Sequence, residues 1–449
     1  MRKNNQDSVV ENIEHFLNSK KKILMDYCYE SIIDENGQRF FDNNISALND
    51  NEFDSMFPLV SVVIITANKI ERDSLNFIIS KFHDKHIKRR KHFIPIFGNN
   101  DLGSPKAYIF KMSSLYILHI YAYETGSNTP GGSTDLVRFI SNNNYLHPIC
   151  IISFGVCYGR DPKGQSIGDV IIPKKLYPWS IGQKITENKF YIKHDNFNLW
   201  LEDKFSNSGI YSKLNNFCNG EDGKIIESSL MFAKEKKGDF FVKIAWGNMS
   251  TGEAVVSSSK LKKEIPEATH NEKEIGGEME GYGMAKECIF YANIPCVIIK
   301  AICDWGEYKN IDEELQKRNI NSPLNLKDKL QSYAAFCAGI ALVQLMKDEK
   351  EVFLSNRLIQ WMMDSGRGKD RIKEYIYSDR KVYIKLIKEF YGFDNSEAEQ
   401  ILKLLETNHL LKRKQTGDEF MVSYIEYDKI ENCHLHCDLM IRGRERNFL

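Results

Sequence analysis

The sequence predicts an α/β protein with an added unit at each end, and three observations carry that expectation. A β-branched run, Leu59-Val60-Ser61-Val62-Val63-Ile64-Ile65, leads through Thr66-Ala67-Asn68-Lys69-Ile70-Glu71 into a helix reaching Phe77. The same alternation of apolar strand and helix continues to a long closing helix over Lys327 to Met346. Acids gather at strand ends, in Gly277-Glu278-Met279-Glu280-Gly281 and in Cys303-Asp304-Trp305-Gly306. That is the sheet edge where α/β proteins build their sites.

With 449 residues the chain exceeds one typical domain of about 100–200 residues. Three units are expected: a helical arm and linker over 1–57, the α/β domain over 58–348, and a C-terminal unit over 349–449. Sixty-one Lys+Arg balance 61 Asp+Glu, so any basic site must be local. Neither a signal peptide nor a membrane-spanning run is legible, and a cytoplasmic protein with no membrane partner is expected. The ten cysteines are scattered, several within apolar segments (Cys150, Cys288, Cys296, Cys337), as buried reduced thiols would be. Cys433-His434-Leu435-His436-Cys437 matches no common zinc spacing, so no metal or other cofactor is expected.

The elements follow in order. Val9, Ile13, Phe16, Leu17, Ile23 and Leu24 recur at helical spacing, giving one or two amphipathic helices that can dock on the main domain or on a partner. After the first strand and helix comes a basic run, Lys81 to Lys91, in which Lys88, Arg89 and Arg90 are candidate phosphate contacts. A solvated loop explains that run equally well. Strands are expected at 107–111, 115–122 and 148–154, and a glycine-rich loop containing Thr125-Gly126-Ser127-Asn128 leads into a helix that Ser133 or Thr134 would cap. Gly155-Val156-Cys157-Tyr158-Gly159 reads as a second small-residue turn against a flat ligand. Residues 174–239 read as an insertion or lid with a helix near 226–234. A strand at 241–245, a helix at 283–290 and a strand at 296–302 complete the domain.

Beyond Ser355 the pattern is three short helices and a hairpin around Gly417, like a winged helix. Lys+Arg and Asp+Glu balance at 17 each over 351–449, so the basic footprint of a DNA reader is missing. A regulatory protein partner is favoured there over nucleic acid.

With these residues laid out, 60–345 resembles the purine nucleoside phosphorylase superfamily, and within it the methylthioadenosine/S-adenosylhomocysteine nucleosidase branch. The resemblance rests on Thr66-Ala67 with Glu71, the loop at Thr125 to Asn128, Gly155 to Gly159, Gly168-Asp169-Val170, Ser250-Thr251-Gly252, and the pair Glu278-Met279-Glu280 with Cys303-Asp304, all in order. It implies a sandwich around a mixed, barrel-like sheet, in a homo-oligomer that hydrolyses the N-ribosidic bond of a purine nucleoside or nucleotide.

Breaking that bond builds positive charge on the sugar and negative charge on the base, so an acid belongs near the base and a carboxylate near the sugar. The resemblance gives Asp304 the base nitrogen N7, Glu280 the ribose, and Glu71 the attacking water. It places Thr125, Gly126, Ser127, Asn128, Gly155, Val255, Glu278 and Met279 around the substrate. Cys303, Lys300 and Val255 depart from the usual Ser, Arg and aromatic residue. The phosphate loop of a phosphorylase is replaced by Asn68-Lys69-Ile70-Glu71, although Arg72 stands near enough to touch phosphate. A phosphorylase and a non-catalytic nucleoside sensor remain alternatives. Bacterial antiviral effectors with related domains carry similar appendages, and some of them cleave ATP.

Overall fold

The computed structural model describes residues 5–33, 46–47, 60–82, 88–90, 106–112, 115–122, 132–142 and most of 146–348, then 384, 395–396, 399, 411–413 and 420–422.

The chain opens with α1 (Asn5–Leu17) and α2 (Lys21–Glu30), followed by a two-residue strand β1 (Ser46–Ala47). Strand β2 (Val60–Thr66) is buried along its whole length and enters α3 (Lys69–Phe82). Next come β3 (Lys88–Arg90), β4 (Lys106–Met112), β5 (Leu115–Tyr121), α4 (Ser133–Asn142) and β6 (Cys150–Gly159). The middle of the chain holds β7 (Val170–Pro178), β8 (Gln183–Ile185), β9 (Phe190–Ile192), β10 (Leu199–Trp200), α5 (Leu201–Lys204), α6 (Ile210–Cys218) and β11 (Lys224–Ser228). Then follow β12 (Phe240–Thr251), α7 (Ser259–Thr269), β13 (Glu274–Glu278), α8 (Gly281–Glu287) with a π-helical turn at Cys288–Ala292, β14 (Cys296–Asp304), α9 (Ile311–Lys317) and α10 (Leu326–Asp348). A hairpin, β15 (Leu411–Arg413) with β16 (Phe420–Val422), lies near the C-terminus.

Five strands close on themselves. β6 pairs with β14 in parallel, β14 with β7 antiparallel, β7 with β12 in parallel, β12 with β13 in parallel, and β13 returns antiparallel to β6. This ring is the mixed, barrel-like sheet. The sheet then runs outward from β6 through β2, β5, β4 and β3 to β1. Closure removes the open edges that a five-stranded sheet would otherwise expose.

Helix α10 is buried on nearly every face, from Leu330 through Tyr333, Phe336 and Ile340 to Met346. The cause is that it packs against α3 and β14 and also against α2. Val9, Ile13, Phe16, Leu24 and Met25 of the N-terminal arm belong to the same core. Asn12 donates to the carbonyls of Pro162 and Gln165, and Asp26 pairs with Lys329 at 2.7 Å.

Three local expectations change. Residues 155–159 are not a turn but the end of β6, because Gly155 to Tyr158 continue to pair with Lys300 to Asp304 of β14 and Gly159 pairs with Gly276 of β13. Residues 224–228 form β11 against β12 where a helix is expected from 226 onward. Ser133 lies inside α4, and its hydroxyl donates to the carbonyl of Glu280 rather than capping the helix. The two short strands that flank Gly417 pair antiparallel, while Gly417 itself, the three expected helices of a winged helix apart from a few residues, and the Cys433–Cys437 cluster lie outside the described residues. No described helix is long and apolar enough to cross a membrane.

Candidate active site

A cavity of about 560 Å³ opens at the end of the five-strand ring. It is lined by the β2–α3 turn (Ala67 to Glu71), Tyr121, the end of β6 (Val156 to Tyr158), Val256, Gly277 to Glu280, Cys303, Asp304, and the first turns of α10 (Lys327, Asp328, Gln331).

Glu71 is held from three directions. Its Oε2 accepts from the backbone N–H of Ala67 (3.0 Å) and Asn68 (3.2 Å), and Oε1 from Val156 (2.9 Å). In return Asn68 Oδ1 accepts from the Glu71 N–H at 2.9 Å, so the pair also forms a reciprocal cap at the start of α3. Gly155 lies behind this carboxylate rather than along the cavity: a Cβ there would stand 2.2 Å from Glu71 Oε1.

Glu278 performs a structural task. Its Oε2 accepts from the N–H groups of Glu280 (2.8 Å) and Gly281 (2.7 Å), fixing the start of α8. Glu280 is thereby set facing Lys300, whose Nζ lies 3.0 Å from Glu280 Oε2. Lys300 projects from the middle of β14 and is 1% exposed. Burial alone would pull its ammonium down, but Glu280, Glu71 and Glu278 outweigh that and hold it above its ordinary value. Burial raises the Glu71 and Glu278 carboxyls, with Lys300 opposing the rise and Glu280 adding to it.

Asp304 stands apart from this group. A bulge after Ile302 shifts the β14–β6 register so that Asp304 pairs opposite Tyr158, and both line the cavity. Its Oδ1 accepts from Gly306 N–H at 2.7 Å, and the Cys303 thiol donates to Oδ2 at 3.4 Å. Burial raises its carboxyl, with the Gly306 and Cys303 hydrogen bonds opposing. By surface area Asp304 is an exposed residue that faces the cavity, so solvent screening moderates that rise.

Two groups of acids therefore line one cavity in different settings. One holds Glu71, Glu278 and Glu280 around a buried ammonium; the other holds one carboxyl with a raised pKa, influenced by Lys262 and Lys327.

Met279 lines the cavity, half-buried. Arg72 does not line it: it is buried, with Nε 2.6 Å from Asp73 and the guanidinium 5.0 Å from the Tyr121 ring centre. Lys88, Arg89 and Arg90 form β3, three strands from β2 along the sheet, and their side chains are outside the described residues. Thr125, Gly126, Ser127, Asn128 and Val255 also lie outside them. Two site residues received no role from sequence. Lys300 carried a usable signal, a charge inside a buried strand, whereas Tyr158 was hidden among glycines that read as a turn.

No protein-family model matches the chain, and a search of curated proteins finds no match. Solved structures do match. The chain is similar to methylthioadenosine/S-adenosylhomocysteine nucleosidases. The Neisseria meningitidis protein in complex with methylthio-immucillin-A shares 16% identity over 65% of this chain and 100% of its own, at a TM-score of 0.40. The Streptococcus pyogenes protein in complex with 5-methylthiotubericidin gives 16%, 65%, 97% and 0.41. The Helicobacter pylori protein with butyl-thio-DADMe-Immucillin-A gives 14%, 65%, 99% and 0.40. Overlap this slight transfers no residue roles, which rest on the geometry of this chain.

Proposed function

We propose that the protein hydrolyses the N-ribosidic bond of a purine nucleoside, releasing the free base. The observation that supports this most directly is one cavity lined by Glu71, Glu278 and Glu280, which surround Lys300, together with Asp304, whose carboxyl hydrogen-bonds Gly306 and Cys303 instead. In the reaction the C–N bond breaks and a C–O bond to water forms. Asp304 gives its proton to N7 of the departing base, and its raised pKa keeps that proton available nearer neutral pH.

Glu280 gives one oxygen to Lys300 and offers the other to the ribose hydroxyls, where its charge favours the cationic sugar. Glu71 takes the proton of the attacking water. Its three backbone donors fix it in place, and Oε1, which accepts one of them, keeps a lone pair for that water. Met279 packs against the sugar.

Hydrolysis is favoured over phosphorolysis because Asn68-Lys69-Ile70-Glu71 fills the place of a phosphate loop and Arg72 is engaged by Asp73. The finer parts of the proposal are a 5′-phosphorylated substrate such as ATP, a homo-oligomer, and a regulated role like that of antiviral effectors. In support of a nucleotide, β3 runs parallel to β2, so Lys88 to Arg90 ascend toward the same edge of the sheet as the site. Exposed Phe290 and Tyr291 offer an apolar contact to a second copy. The test is incubation with adenosine, methylthioadenosine, inosine, AMP and ATP, with and without phosphate, followed by chromatography. Free base without added phosphate supports hydrolysis; release only with phosphate overturns it in favour of a phosphorylase.

A further inference from the structure

Tyr158 lines the cavity and stands opposite Asp304 in the strand register. Its ring packs beside Gly306, where a Cβ would lie 3.2 Å from Cγ, and its hydroxyl lies against Gly277, where a Cβ would lie 2.3 Å from Oη. Gly277 is itself part of the cavity wall. The hydroxyl donates to Glu274 Oε1 at 3.1 Å, and Arg160 Nε stands 3.5 Å from the other oxygen of Glu274. Burial raises the Glu274 carboxyl, while Arg160 and the Tyr158 hydrogen bond favour its charged form, and in the observed geometry it accepts the phenol proton. A phenol has one proton; once that is given to Glu274, only lone pairs remain for a neighbour.

The geometry of a purine then gives this pair a task. N7 and the 6-substituent lie on the same edge of the base, with an amino group donating there in adenine and an oxygen accepting in hypoxanthine or guanine. With Asp304 at N7, Tyr158 is its partner in strand register on the same cavity wall. Resting on the hydrolase reading above, we infer that Tyr158 contacts the base as a specificity-determining residue. Glu274 is its positioning residue, fixing the phenol oxygen as an acceptor that admits a 6-amino group and repels a 6-oxo group.

The test compares kcat/KM for adenosine and inosine in the wild type, Tyr158→Phe, Glu274→Gln and the double variant, with thermal melts to establish folding. The adenosine-to-inosine ratio is expected to fall about tenfold in Tyr158→Phe. It is expected to fall in Glu274→Gln as well, because a glutamine amide can donate to the phenol and release its proton. The double variant is expected to fall no further than Tyr158→Phe, since the two residues act through one oxygen. Loss through general destabilisation would lower both substrates together and leave the ratio unmoved.

Ratios within twofold of wild type in folded single variants overturn the inference while leaving the hydrolase reading intact. If wild type releases no base, calorimetric titration of adenosine and inosine into wild type and Tyr158→Phe decides. A preference for adenosine that Tyr158→Phe loses supports the inference without the hydrolase reading, and no preference, or one that Tyr158→Phe keeps, overturns the inference.

Discussion

Lys300 is a lone ammonium among three acids, and its removal separates structural from catalytic roles. Lys300→Met leaves Glu280, Glu71 and Glu278 without their shared counter-charge, and breaking a buried pair in this way typically costs about 3–5 kcal/mol. The loss should be smaller at pH 5 than at pH 7.5, because protonated carboxyls no longer need the ammonium; urea denaturation at both pH values measures this. Asp304 predicts a different signature. Its raised carboxyl is protonated at low pH and loses that proton as pH rises through the folded-state value, so base release should decline on the alkaline side. Asp304→Asn should lower kcat by at least about a hundredfold, with the melting temperature preserved. Gly155→Ala should also abolish activity, because its Cβ would occupy the space of the Glu71 carboxylate.

At the scale of elements, legibility followed the type of signal. Strand β2 and helices α3 and α10 announce themselves by β-branched runs and helical periodicity, and the acids of β13 and β14 stand in short motifs at strand ends. The end of β6 was misread because Gly155 and Gly159 look like turn residues. Here the glycines make room for neighbours, Glu71 and Trp305, that are distant in sequence. Helix α7 carries Pro266 inside it, which weakens its helical signal in the sequence. Glu71 shows that one residue can satisfy a local rule and a distant one together: Asn68 and Glu71 cap α3, while the same carboxylate reaches Val156 in β6. The N-terminal arm braces α10 beside its cavity-lining turn through Asp26–Lys329 and through Asn325, which donates to Tyr29 Oη. Asp26→Lys and Lys329→Asp should each raise KM modestly at a stability cost under about 1 kcal/mol, as suits a partly exposed pair, and the double swap should restore KM. Steady-state kinetics on the three variants checks this.

Over the whole molecule, the balanced net charge concealed local concentration: the acids cluster at one sheet edge, where burial rather than composition sets their chemistry. Burial raises Glu71, Glu274, Glu278, Asp169 and Asp304 together. A carboxyl whose folded-state pKa is raised contributes stability that is present below its ordinary value and lost as pH rises through the folded value. Buried His119, held down at about 3, acts in the opposite sense and favours the folded state at higher pH. His119→Gln should therefore make the urea midpoint gain more as pH falls from 8 toward 5 than it does in the wild type, and an unchanged profile would contradict the assigned environments. The barrel closure was implied only by resemblance, since pairing between β13 and β6, or β14 and β7, joins segments more than a hundred residues apart. The central claim is that Asp304 and the carboxylates around Lys300 divide one cavity between base and sugar. The most direct measurement is chromatography of purine nucleosides incubated with the wild type and with Asp304→Asn, without phosphate. Free base from the wild type and none from the variant is the predicted result; equal release, or none from either, would contradict it.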